Sequence, residues 1–193
     1  MPTIGVISDT HVPDRAPDLK PWIIPLFRLH NVEAILHGGD VCIPAVLEEL
    51  EKVAPVYAVR GNRDIWRLRH LPRTQTLSVG GVKVGLSHGH GHWWNYLLDK
   101  AYTLLFGLHT DRNLRYVFRD FPDAQIVVFG HTHIPVNEWV DGKLCFNPGS
   151  ACCWFEKAPF PTVGIIHILP GGEIKGQLYG FREDQQVPGC ISP

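Results

Sequence analysis

Along the chain, short β-branched apolar runs each stop at a cluster of polar or glycine residues. Thr3 to Ile7 is the first such run, and it ends in Ser8-Asp9-Thr10-His11. This predicts a buried strand that delivers side chains at its C-terminal end. Helical spacing follows near Pro21 to Leu29, with Trp22, Ile23, Leu26 and Phe27 on one side. Pro25 lies inside that stretch and should kink or shorten the helix. Ala34 to His37 predicts a second strand, cut off by Gly38-Gly39-Asp40. Pro44 suits the first turn of a helix, in which Val46, Leu47, Leu50 and Val53 keep helical spacing. Pro55 to Val59 is a third strand, again ending in polar residues, Arg60-Gly61-Asn62-Arg63-Asp64. Alternation of strand and helix in this order implies a parallel, right-handed βαβ core.

After Pro72 the pattern changes to hairpins. Thr76 to Val79 and Val82 to Ser87 flank the tight turn Gly80-Gly81, a hairpin signature. Val127 to Phe129 is a further buried strand; Val136 to Val140 with Leu144 to Phe146 is a second hairpin, and Val163 to Leu169 with Ile174 to Tyr179 a third. The expected fold is therefore α/β: a mixed parallel and antiparallel β-sandwich flanked by helices. Residues 1–193 read as one domain, with a helical insert at about 91–124. In the insert, Trp94, Leu97, Leu98, Ala101, Leu104, Leu105 and Leu108 keep amphipathic helical spacing. Leu114, Val117, Phe118 and Phe121 repeat it after Gly107. This reads as two packed helices, with Trp93 and Trp94 as the alternative cap or homodimer surface.

Composition narrows the function classes. Eighteen Lys and Arg against nineteen Asp and Glu leave a net charge of −1, which argues against non-specific binding to nucleic acid or to a membrane surface. No apolar run approaches the ~18 residues of a membrane span, and the N-terminus lacks the basic start and apolar stretch of a signal peptide. The five Cys, at 42, 145, 152, 153 and 190, show no zinc-finger spacing and fit a reducing cytoplasm. Cys152 and Cys153 read as small buried residues.

The eleven His stand out. Five fall in three clusters at strand ends: Asp9-Thr10-His11, His88-Gly89-His90 and His131-Thr132-His133. Two more strand ends offer Asp40 and Asn62, and Gly39, Gly61, Gly89 and Gly130 accompany these positions. Small residues there let the backbone turn while nitrogen and oxygen donors converge over one edge of the sheet, where α/β folds place ligands. A shared metal site accounts for five such clusters better than accident does.

In order, Asp9-x-His11, Gly39-Asp40, Gly61-Asn62, Ser87-His88 and Gly130-His131-Thr132-His133 resemble the motifs of the calcineurin-like metallophosphoesterases. The forms Gly61-Asn62-Arg63-Asp64, His88-Gly89-His90 and Asn147-Pro148-Gly149-Ser150 resemble the compact bacterial and archaeal phosphodiesterase branch, which includes the retromer subunit Vps29. The resemblance implies one divalent ion on Asp9, His11, Asp40 and His133 and a second on Asp40, Asn62, His88 and His131, with Asp40 bridging. Two carboxylates and a hydroxide leave such a pair one positive charge, which attracts an anionic phosphate. Imidazole, carboxylate and amide donors suit Mn²⁺ first, with Fe²⁺, Zn²⁺, Co²⁺ or Ni²⁺ as alternatives, better than Ca²⁺. The implied reaction is hydrolysis of a phosphate-ester small molecule or nucleotide by metal-bound hydroxide, with Asn62 also holding a phosphate oxygen.

Many relatives carry His where this chain has Arg63, and Arg cannot donate a proton to a leaving group. His90, then Asp64, are the replacement candidates, while Arg63 itself is a candidate phosphate clamp. The lack of an acid at 63 favours diesters and activated esters over alkyl monoesters. His37 is expected to orient Asp40; His30, His70, His92, His109 and His167 read as ordinary surface or packed histidines. The competing function is a non-catalytic protein-interaction scaffold of the Vps29 type.

Overall fold

The computed structural model describes residues 1–89, 118–152, 160–181 and 189–191. In chain order the elements are β1 (Thr3–Ile7), α1 (Ile23–Leu29), β2 (Ala34–His37), α2 (Pro44–Glu51), β3 (Val56–Ala58), β4 (Thr74–Val79), β5 (Val82–Ser87), β6 (Ile126–Val128), β7 (Val136–Val140), β8 (Lys143–Asn147), β9 (Thr162–Ile168), β10 (Ile174–Gly180) and β11 (Gly189–Ile191).

They form two sheets, one ordered β11-β10-β9-β1-β2-β3 and the other β4-β5-β6-β8-β7. In the first, β1, β2 and β3 are parallel and β9 runs antiparallel to β1. In the second, β5, β6 and β8 are parallel, edged by antiparallel β4 and β7. The mixed α/β sandwich expected from the sequence is the fold observed.

Strand alternation sorts the core into layers. Ile4, Val6 and Leu36 from one sheet meet Val84, Leu86, Ile126, Val128 and Phe146 from the other. On the opposite face of the first sheet, Ile7 and Ile35 pack with Ile23, Phe27, Val46 and Leu50 of the two helices. The outer face of the second sheet carries Val127, Phe129 and Cys145 under Phe121 and Ala124. The end of the expected insert therefore packs on this chain's own sheet; the rest of that insert, with Trp93 and Trp94, lies outside the described residues.

Two local expectations are refined. The first helix begins at Ile23 rather than Pro21, with Trp22 at its N-cap. Pro25 thus falls in the first turn, where a missing N–H breaks no intrahelical bond. Pro44 occupies the first turn of α2 as expected. Strand β11 carries too short a pattern to be seen in the sequence. No helix among the described residues is long and apolar enough to cross a membrane.

Candidate metal centre

The loops leaving β1, β2, β3, β5 and β6 meet at one end of the sandwich. Backbone bonds stitch them together: Asp9 N–H donates to Gly39 O at 2.9 Å, His11 N–H to Asp40 O at 3.1 Å and Gly130 N–H to His88 O at 3.3 Å. This close approach excludes side chains at two points. A Cβ on Gly61 would lie 2.1 Å from Asp40 Oδ1, and one on Gly130 would lie 2.0 Å from Ser8 Oγ. The backbone is also bent unusually at the donors. Asp9, His11, Asp40, His131 and His133 all have left-handed φ, between 49° and 70°. Such conformations are disfavoured for residues with a Cβ and concentrate at functional sites.

The side chains gather in two overlapping groups, Asp9 with His11 and His133, and Asp9 with Asp40 and His88, each with donor atoms within 4.8 Å of one another. His133 Nε2 lies 3.1 Å from Asp9 Oδ1, and the Nε2 atoms of His11 and His133 are 3.2 Å apart. Asp40 faces both ways: Oδ2 is 3.8 Å from His11 Nε2, and Oδ1 is 3.5 Å from His88 Nε2. Asn62 Oδ1 stands 3.2 Å from that same His88 nitrogen. The His131 ring packs edge-on against His88, with centroids 5.1 Å apart. The geometry thus brings together all seven donors proposed from the sequence.

Neighbouring groups fix how these donors are presented. His88 Nδ1 donates to the Gly38 carbonyl at 2.7 Å, which leaves its Nε2 lone pair aimed at Asp40 and Asn62. Asp9 Oδ2 accepts from Ser8 Oγ and from the His131 N–H at 3.1 Å. Its Oδ1 is buried and faces His133 Nε2 at 3.1 Å. Burial pushes the Asp9 carboxyl upward, but the His133 hydrogen bond and charge, with His88 and Ser8, hold it well below the ordinary carboxylate range. For Asp40, burial dominates and, with the charges of Asp9 and Asp64, raises it. Burial opposes charge on His88, yet Asp40, Asp9 and the Gly38 carbonyl outweigh it and raise its pKa. The cluster therefore favours a positive charge at its centre. Buried carboxylate oxygens, oriented imidazoles and an amide oxygen are the donor set that a divalent transition metal would use.

The leaving-group candidates fall differently. Asp64 is fully buried, and its oxygens accept the backbone N–H groups of Asp40 at 2.9 Å, Cys42 at 2.8 Å and Gly61 at 2.8 Å. This corrects the idea of Asp64 as a proton donor: its oxygens are turned into the protein, where they clip two loops together. The backbone N–H of Arg63 donates to Asp40 Oδ1 at 2.8 Å, while its half-exposed guanidinium lies 3.3 Å from Asp14 Oδ2 at the rim. His90 lies outside the described residues. His37 acts on Asp40 indirectly: Gly39 N–H donates to its Nδ1 at 3.2 Å, and its Nε2 meets Thr10 Oγ1 at 3.3 Å. Thr10 in turn reaches the Asp40 and Val41 carbonyls.

Sequence reasoning missed Asp14 and left Ser8 and Asn147 without a role. Asn147 is buried and donates to Gly130 O at 3.0 Å and Thr132 Oγ1 at 3.1 Å, bracing the loop of His131 and His133. Ser150 Oγ donates to Asp9 O at 2.9 Å. The signal for both lay in their place, immediately after an apolar strand that ends at the same edge.

A calcineurin-like phosphoesterase superfamily domain matches residues 3–170. The chain is 36% identical over 165 residues to a probable metallophosphoesterase of Methanothermobacter thermautotrophicus, covering 86% of this chain and 85% of that one. It is 30% identical over 176 residues to a phosphodiesterase of Methanocaldococcus jannaschii, covering 84% and 91% of the two chains. Among solved structures, Vps29 of Entamoeba histolytica complexed with Zn²⁺ shares the fold with a TM-score of 0.76 at 24% identity, over 98% of this chain and 97% of that one.

Proposed function

Since the chain belongs to the calcineurin-like phosphoesterase superfamily, we propose that it is a dinuclear metal-dependent phosphoesterase that prefers phosphodiesters. One observation carries this reading: Asp40 turns one carboxylate oxygen towards His11 and the other towards His88. A carboxylate presented in that way is suited to join two cation positions. Asp9, His11, Asp40 and His133 would hold one divalent ion, and Asp40, Asn62, His88 and His131 the other, with Mn²⁺ the first choice and Fe²⁺, Zn²⁺, Co²⁺ or Ni²⁺ its alternatives. When bound, such ions activate water and neutralise charge on a phosphoryl group.

The chain's own groups supply orientation. Asn62 can offer its amide NH₂ to a phosphate oxygen while its Oδ1 faces His88. Arg63, tethered to Asp40 through its backbone, places a guanidinium at the rim, where it can pair with a non-bridging phosphate oxygen. It cannot protonate an alkoxide, and Asp64 is occupied with backbone N–H groups. Esters whose leaving group needs no proton are therefore favoured. The phosphodiesterase activity named for the M. jannaschii relative agrees with that preference.

The test is hydrolysis of bis-p-nitrophenyl phosphate with added Mn²⁺. Asp40→Ala and His88→Ala are each expected to lose at least about a hundredfold, since even a ligand's supporting partners are commonly worth ten- to a hundredfold. Undiminished turnover in either variant would overturn the reading, and rapid hydrolysis of alkyl monoesters alone would overturn the diester preference. The scaffold reading also has an observation in its favour. Trp139, 56% exposed, borders a shallow hollow lined by Met1, His167, Leu169 and Ile174, a surface open to a protein partner. It requires no turnover, so the same assay separates the two.

A further inference from the structure

The loop between β3 and β4 is firmly built, yet it holds a large apolar side chain in water. At its base Arg60 N–H donates to Pro72 O at 2.8 Å, and the Arg60 guanidinium donates to Arg69 O at 3.0 Å. Asp64 fixes one shoulder by accepting from Gly61 and Asp40. Leu68, 1% exposed, anchors the other in the core beside the helices, and its N–H donates to Asp64 O at 3.3 Å. Between these anchors Ile65 is 51% and Trp66 83% exposed. Among the described residues they are the one adjacent pair of exposed large apolar side chains.

Position gives that exposure meaning. Arg63 N–H bonds the Asp40 carboxylate directly, and three residues of chain span no more than about 11 Å. Trp66 therefore lies within that reach of the Arg63 backbone, on the loop that carries both the Asp40 contact and the Arg63 guanidinium. Tryptophan offers a rigid, flat contact surface whose ordering costs little entropy, and any nucleobase can stack on it. A loop with a cation at one position and an indole three residues on matches an anionic phosphate joined to a planar ring.

We propose that Trp66 determines substrate class: its indole stacks on the base of a nucleotide phosphodiester whose phosphate lies at the candidate metal centre. This rests on the phosphoesterase reading and adds the chemical class of ester to it. Stacking of this kind is sequence-tolerant, so all four bases should serve, and a diester without a base should be the poorer substrate.

The experiment compares two diesters with the same leaving group, thymidine 5′-(p-nitrophenyl phosphate) and methyl p-nitrophenyl phosphate, using the full chain with Mn²⁺. In Trp66→Ala the ratio of their kcat/KM values should fall roughly tenfold, the scale of one base–aromatic stack, and Trp66→Phe should restore most of it. A second readout needs no turnover. Adenosine monophosphate should quench tryptophan fluorescence in the wild type, ribose 5-phosphate should not, and Trp66→Ala should lose the effect. An unchanged ratio with unchanged quenching overturns the proposal. So does a Trp66→Ala variant that instead changes oligomeric state at constant ratio, because the ring would then cover a second copy of the chain. Quenching without hydrolysis of either ester would remove the phosphoesterase reading while leaving the stacking contact in place.

Discussion

His37 sits wholly buried at the end of β2, with the Gly39 N–H directed at its Nδ1, which places its own proton on Nε2 towards Thr10. Burial lowers its pKa from 6.5 to about 4, against the partial opposition of Asp64 and Asp9. An unfolded chain takes up a proton here below about pH 6.5, and the folded one resists until about pH 4. Stability from this residue is therefore complete above pH 6.5 and declines as the pH falls to 4, by roughly 3 kcal/mol in all. In the metal-free protein, His37→Asn should be less stable at pH 7 but lose less between pH 6.5 and 4, as read from urea midpoints. Parallel pH curves for the two proteins would refute it. At this scale the candidate metal donors were legible as a cluster because nitrogen and oxygen side chains punctuate apolar strands. Asp64 was not, since a carboxylate two residues beyond Asn62 looks the same in sequence whether it faces a substrate or the backbone. Ser8 was hidden likewise: nothing in a serine before Asp9 says which aspartate oxygen its hydroxyl will occupy.

Elements carry the donors, but their loops set the positions. The Asp64 carboxylate joins the loop after β2 to the loop after β3 through three backbone N–H groups. Asp64→Ala would leave those donors buried without partners, at a cost of at least about 3 kcal/mol. Metal affinity should fall too, because Asp40 would lose the anchor of its own N–H. Equilibrium unfolding gives the first quantity and calorimetric titration with Mn²⁺ the second; wild-type values for both would show that the clip carries no strain. The strands themselves were legible from β-branched runs, and the hairpin turns from paired glycines such as Gly171 and Gly172, whose φ values of 89° and 84° suit residues without a Cβ. Strand order was not. That β9 lies beside β1 depends on Ile165 and Ile166 packing on opposite faces of the first sheet, a long-range match no local pattern announces.

Taken as a whole, the molecule brings two sheets to a common edge and gathers carboxylates and imidazoles there in the dry interior of their loops. A cation that binds only this folded arrangement must stabilise it, by about 2.7 kcal/mol at a hundred times its dissociation constant. For a domain of this size that corresponds to a rise in Tm of roughly 5–10 °C. Thermal melts with Mn²⁺ or Zn²⁺ should show the rise, a chelator should reverse it, and Asp40→Ala should abolish most of it. An equal rise in the variant would place the cation elsewhere. The donors are divided along the chain as well as across the sandwich: Asp9 receives the N–H of His131 from 122 positions away. During synthesis, then, a ribosome must add 122 residues after Asp9 before that aspartate can meet His131. Early fragments cannot capture a metal in this way, and loading becomes a late event that certifies a finished fold.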